Sequence, residues 1–215
     1  MFQFPKITKL VKMIIIVNIV LWVLEVILLR TSMNYTIMEL FLTPERVLNG
    51  EIWQLFTYGF FHSPTQIFHL ILNMLILYFF SYDLNTKWGD KRFITFYGLT
   101  ILGGGIFVVL ESFIIKSHYY VPTLGASAAI FAITTAYALT YAEQEIYFFL
   151  FPMKAKYLIH IDLGIILLSY LAIGDGQSSN AAHLGGMVTA YIILKVPWYR
   201  YRRRKDIKKY LKIVK

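Results

Sequence analysis

Six apolar runs dominate this chain: Met13–Leu29, Ile67–Tyr82, Phe93–Ile115, Leu124–Tyr141, Tyr157–Ile173 and Ala181–Val196. Runs of this length with so few charges have one common solution. In a bilayer every backbone N–H and C=O must be satisfied within the segment, so each run is a helix that crosses or nearly crosses. Composition agrees, because 58% of the residues are hydrophobic and 15% charged, whereas soluble domains run about 45–50% apolar. The expectation is an all-α membrane protein, a bundle of six spans over residues 1–200 with a basic tail at 201–215. With no cysteine, disulfides, Cys-ligated zinc and a thiol nucleophile are all excluded.

The first run follows Lys6, Lys9 and Lys12, like the charged start of a signal peptide, but no small-x-small cleavage site follows it. It is therefore expected to be a retained first span. Glu25, near its far end, is expected to snorkel to the interface. Residues 30–66 mix Tyr35, Phe41, Trp53 and Phe56 with Glu39, Glu45, Arg46 and Glu51. That mixture suits short amphipathic helices lying in the interface and packed sideways on the bundle. The second run, sixteen residues long, falls short of the ~20 needed to span, so its start should lie below the surface. The third is expected to be interrupted at Gly103-Gly-Gly105.

Alternating spans test themselves against charge. Of 21 Lys and Arg, only Arg30, Arg46 and Lys116 fall on one side, and the other eighteen, nine of them after Pro197, fall on the other. The richer side should be cytoplasmic, with both termini inside. The net charge of +9 is then explained by anionic lipid head groups facing the tail, and nucleic acid is not expected as a partner.

This topology brings polar residues to one level. Runs two, four and six enter from the outer side, and His69, Ser127 and His183 lie in their first turns. Asn73, four residues after His69, shares its helix face. A lone intramembrane serine usually bonds back to its own helix, but this company points to chemistry. A serine becomes a nucleophile when a base takes its proton, and a neutral imidazole at His183 suits that role. The Gly185-Gly186 pair would let its helix approach the alanine-rich face behind Ser127. An oxyanion would find donors in the Ser127 backbone N–H, the His69 ring and the Asn73 amide. No carboxylate is placed to orient His183, since Asp162 falls at the wrong depth, so a Ser–His dyad is expected and no triad.

Other chemistries fit less well. The His-Glu-x-x-His of a zinc protease is missing. Asp83 and Asp175 fall on opposite sides, too far apart for an aspartyl pair. His62, His118 and His160 lie in or near turns or away from the cluster, with His62 at most at the mouth of the site. No metal or cofactor is expected. A solute transporter would want inverted repeats of broken helices, and none is visible.

The motifs His69-x-x-x-Asn73, Gly125-Ala-Ser127-Ala and Ala182-His183-Leu-Gly-Gly186, in this order, resemble those of the rhomboid intramembrane serine proteases, in their basic six-helix bacterial form. The resemblance implies a protease that cuts transmembrane-helix proteins, resident in a bacterial plasma membrane. It also implies that the fifth helix and the turn before the sixth act as gate and cap, and that the first loop supports the bundle. Phe131 would stack under the imidazole where the family often has tyrosine. Ala128 stands for a common glycine, Gln54 for an arginine beside Trp53, and Asn85 for a helix-end glutamate. A catalytically inactive, client-binding relative is the competing reading.

Overall fold

The computed structural model describes residues 6–29, 31, 37–148, 151–173 and 179–195. The basic tail, Arg30 and most of the Gly174–Asn180 turn lie outside them. Helix α1 (Lys9–Leu28) is capped by the Thr8 hydroxyl, which accepts from the Val11 N–H. Two short helices, α2 (Pro44–Leu48) and α3 (Gln54–Thr57), and a 3-10 turn (Tyr58–Phe60) lead to α4 (Ile67–Trp88) and α5 (Asp90–Ile114). After a second 3-10 turn comes α6 (Ser127–Thr140), then strands β1 (Glu145–Phe148) and β2 (Phe151–Lys154). A third 3-10 turn, α7 (Leu158–Ile173) and α8 (Ser179–Lys195) complete the described chain.

Helices α1, α4 and α5 are long and apolar enough to cross a membrane. Helix α6 has only 14 residues but sits at the centre, touching α4, α5, α7 and α8. Its alanines 128, 129, 132 and 136 are all buried, which is what lets neighbours close in on it. Outward faces are apolar instead of polar: Met13, Val20 and Ile27 on α1 and Leu163, Leu167 and Leu171 on α7 are exposed. A bilayer, with its apolar interior, is the solvent that suits such faces.

Four expectations are corrected. The second helix is not short: it runs 22 residues to Trp88, through Asp83, Asn85 and Lys87. Buried Asn85 is held there by the Thr8 hydroxyl and by its own amide, which donates to Asp90 at 2.9 Å. Apolarity ends at Tyr82, but helicity does not.

The third helix is not interrupted. Its glycines serve packing: a Cβ at Gly103 would lie 2.0 Å from the Thr189 hydroxyl, and one at Gly104 would lie 2.6 Å from the Ala128 Cβ and 2.9 Å from the Ala182 carbonyl. Those contacts let α5 and α8 approach at backbone distance.

The fold is not purely α. An antiparallel hairpin pairs Glu145 with Lys154 and Ile146 with Met153. Exposed Glu143 at its base accepts from Lys154 at 2.7 Å and Lys156 at 2.9 Å. Those bonds pull its carboxyl down from 4.5 to about 2. Whatever they add to the hairpin is therefore complete above pH 4.5 and lost as the pH falls through about 2. Solvent screening keeps the effect small. An NMR titration is expected to find the Glu143 midpoint well below 4.5; an unshifted midpoint would refute the pairing.

Glu25 does not snorkel. It is fully buried, and its Oε2 accepts the His62 backbone N–H at 3.2 Å.

The first loop packs sideways as expected. The Tyr58 hydroxyl donates to the Ile101 carbonyl at 2.9 Å, and Gly59 lies against the Ile101 side chain. Buried Gln54 stitches the loop together, accepting from the Thr43 N–H at 2.9 Å and donating to Glu51 at 2.7 Å and to the Glu39 carbonyl at 3.1 Å. Arg46 pairs with Glu51 at 2.9 Å, so a cation still serves the loop although Gln54 carries none.

Candidate active site

Ser127 is the first residue of α6, and the backbone before it is fixed by the first loop. Thr123 and Leu42 exchange N–H···O bonds of 2.7 and 3.0 Å, and the Gly125 N–H donates to the Tyr58 carbonyl at 3.0 Å. Gly125 has φ +133°, and a Cβ there would also meet the His69 ring at 2.9 Å and the Ser127 Oγ at 3.4 Å. Only glycine satisfies both the conformation and the space.

His183 closes on the serine from α8, with its Nε2 2.8 Å from the Ser127 Oγ. Its helix starts at Ser179, before the expected Ala181, so His183 stands just past the first turn and not within it. The Phe131 ring lies flat on the imidazole, with centroids 4.2 Å apart and planes 4° from parallel. Nδ1 of His183 is buried without a hydrogen-bond partner among the described residues. Asp162 is engaged elsewhere, accepting from the Thr134 hydroxyl at 2.6 Å. Among the described residues, the arrangement is a pair with no carboxylate behind it.

Gly186 sets the approach of α8 to α6. A Cβ there would fall 2.0 Å from the Ala128 carbonyl oxygen, and two backbones cannot yield as side chains do. Gly186→Ala is expected to destabilise the fold by about 1–3 kcal/mol through overpacking. A thermal unfolding midpoint equal to that of the wild type would refute this.

His69, in the first turn of α4, places its ring beside Gly125 and hence near the Ser127 Oγ. Asn73, one turn on, is buried with its amide nitrogen unpartnered among the described residues. The structure thus gathers Ser127, His183, His69, Gly125, Phe131 and Gly186 from three chain segments, with Asn73 one turn further along α4. His62, allowed by the sequence at most the mouth of the site, is fully buried, its ring centroid 5.3 Å from that of His69. Burial and the neighbouring His69 push its pKa down to about 3, so it is neutral at ordinary pH. His118 belongs to Glu111, at 3.0 Å, and His160 packs on Tyr157. Asp83 meets the Tyr137 hydroxyl. Among the described residues no three potential ligands gather into a metal site.

The sequence does not show what Glu25 and Gln54 bond to: Glu25 meets the His62 N–H beside the site, and Gln54 meets Thr43, Glu39 and Glu51 within the first loop. Each had a signal: a carboxylate inside an apolar run, and an amide beside Trp53 in a loop that needed many bonds.

The fold and this site define a polytopic helical membrane protein with a serine and a histidine paired inside the bundle. The chain belongs to the rhomboid family, whose Rhomboid domain model matches residues 49–200. It is similar to the mitochondrial RHOMBOID-like protein 12 of Arabidopsis thaliana, 29% identical over 172 residues, or 72% of this chain and 48% of that one. It is also similar to the mitochondrial Rhomboid protein 1 of Saccharomyces cerevisiae, 27% identical over 66% of this chain and 42% of that one. A third relative is Rhomboid-like protease 3 of Toxoplasma gondii, 23% identical over 77% of this chain and 58% of that one. The chain thus spans about half the length of these curated relatives, all of them eukaryotic.

Proposed function

We propose that the chain is an intramembrane serine endopeptidase that cleaves transmembrane segments of other proteins. The observation that carries this reading is the 2.8 Å contact between His183 Nε2 and Ser127 Oγ, with Phe131 flat against the ring. His183 takes the Ser127 proton as Oγ attacks the scissile carbonyl carbon. The oxyanion is held by the Ser127 N–H, the His69 ring and the Asn73 amide. Collapse expels the amine, which receives the proton from His183, and leaves an acyl-enzyme on Ser127. Water, deprotonated by the same histidine, then releases the acid. With Nδ1 unpartnered, Phe131 takes the orienting role that a carboxylate has in triads.

Substrate helices must unwind before a carbonyl is reachable, so helix-weakening residues near the cut should favour cleavage. Six spans with both termini cytoplasmic are proposed, supported by the charge asymmetry and by the six apolar runs of the sequence. The tail is proposed to lie on anionic lipid. The membrane is proposed to be a bacterial plasma membrane, on the six-helix resemblance; the organelles in the relatives' names are the alternative, and fractionation of the native host tests it.

The deciding experiment incubates the detergent-purified chain with a model transmembrane substrate and a serine-directed phosphonate. Cleavage and labelling at Ser127 are expected. A folded chain that binds the substrate, cuts nothing and leaves Ser127 unlabelled would be a client-binding relative instead.

A further inference from the structure

Helix α1 packs on α4 and on the first 3-10 turn, and it holds the segment next to the oxyanion histidine at two points. Glu25 Oε2 accepts the His62 backbone N–H at 3.2 Å. One turn earlier, the Trp22 indole N–H donates to the Ser63 carbonyl, also at 3.2 Å. Two successive residues of the connector into α4 are thus gripped from the same helix, one by its N–H and the other by its C=O. Above this grip the fully buried His62 ring lies 5.3 Å from the His69 ring, tilted by 59°. The His62 ring has the Phe60 backbone, on its own segment, as a polar neighbour. It packs against the His69 ring, whose Cε1 and Nε2 lie beside Gly125.

Position 25 is a costly place for a carboxylate. It lies in a spanning helix, is completely buried, and leaves its second oxygen without a partner among the described residues. One backbone N–H offsets little of the cost of burying such a group. A leucine would stabilise the helix more, and ionisable groups inside spans usually mark function.

We infer that Glu25 is a positioning residue for the oxyanion site: with Trp22 it fixes residues 62–63, and through the His62 ring it holds His69 over Gly125. The inference rests on the protease reading above and deepens it. Its consequence is kinetic. Loosening the grip lets His69 drift from the developing oxyanion, and small misplacements of catalytic groups are costly in rate.

The test uses the full chain in detergent with a model transmembrane substrate, turnover being counted per Ser127 that a phosphonate labels to completion. Counting per labelled site removes loss by unfolding. Glu25→Leu is expected to lower kcat about tenfold or more while KM stays within about twofold. Glu25→Gln, which keeps an oxygen for the His62 N–H, is expected to restore most of that loss. Trp22→Phe, a milder change that loses only the indole N–H, is expected to lower kcat several-fold.

Wild-type kcat in Glu25→Leu, or a loss confined to the number of labelled sites, would make Glu25 a fold residue only and overturn the inference. If Glu25→Leu yields no folded protein, Trp22→Phe decides, and an unchanged kcat there overturns it equally. A wild-type chain that neither cleaves nor labels overturns the protease reading and this inference with it. Unchanged variants beside an active wild type overturn this inference alone.

Discussion

Ser127→Ala and His183→Ala are each expected to abolish cleavage of a transmembrane substrate, and the double variant to be no slower than either single one. Nucleophile and base act as one unit, so removing the second partner after the first costs nothing further. The motive is the single contact of 2.8 Å between them, with no other base among the described residues in hydrogen-bond contact with the serine. Fluorogenic substrate turnover in detergent and in vesicles measures the result. Substantial turnover by Ser127→Ala would end the assignment, as would phosphonate labelling at a serine other than Ser127.

The oxyanion donors come next in size. His69→Ala and Asn73→Ala are each expected to lower turnover ~10²–10³-fold, roughly 2.7–4 kcal/mol, without abolishing attack by Ser127. The buried, unpartnered Asn73 amide and the His69 ring beside Gly125 motivate this. Such donors act on charge that develops in the transition state, so substrate binding should change less than the chemical step. The competing account is that the pair only holds the first loop on the bundle. Unfolding measurements separate the two. Normal turnover per folded molecule with a large loss of stability would make the pair a scaffold and leave the oxyanion to backbone alone.

Much of this site was legible because its parts sit at helix entrances, where alternation of spans fixes depth without any knowledge of packing. Ser127, His183 and His69 came from that argument, and Gly186 from the need for close approach. What stayed hidden depends on contacts between distant segments. Gly125 reads as a turn glycine, but its second reason is the His69 ring, brought there by another helix. The length of α4 was misjudged because apolarity was used as the measure of helicity, and Asn85 keeps a polar turn helical through Thr8 and Asp90. The Gly103–Gly105 run read as a break because glycine is a poor helix former, yet its missing side chains are what α8 packs against. Glu25 read as a surface group because nothing in its own helix offers it a partner; the partner is a backbone N–H 37 residues away.

The shortness of α6 has its own consequence for where water can go. Its 14 residues make it about 21 Å long at 1.5 Å per residue, against a hydrocarbon layer about 30 Å thick. A short helix facing lipid would have to thin the bilayer to its own length, but one ringed by α4, α5, α7 and α8 is free of that demand. The shortfall can be left as a hollow between taller walls. Ser127 is the first residue of the short helix, so a hollow left at that end would open onto its hydroxyl. Hydrolysis needs one water per turnover at a place that acyl chains would otherwise keep dry. For the proposed protease, a central helix that stops early would supply that route without a channel through the bundle.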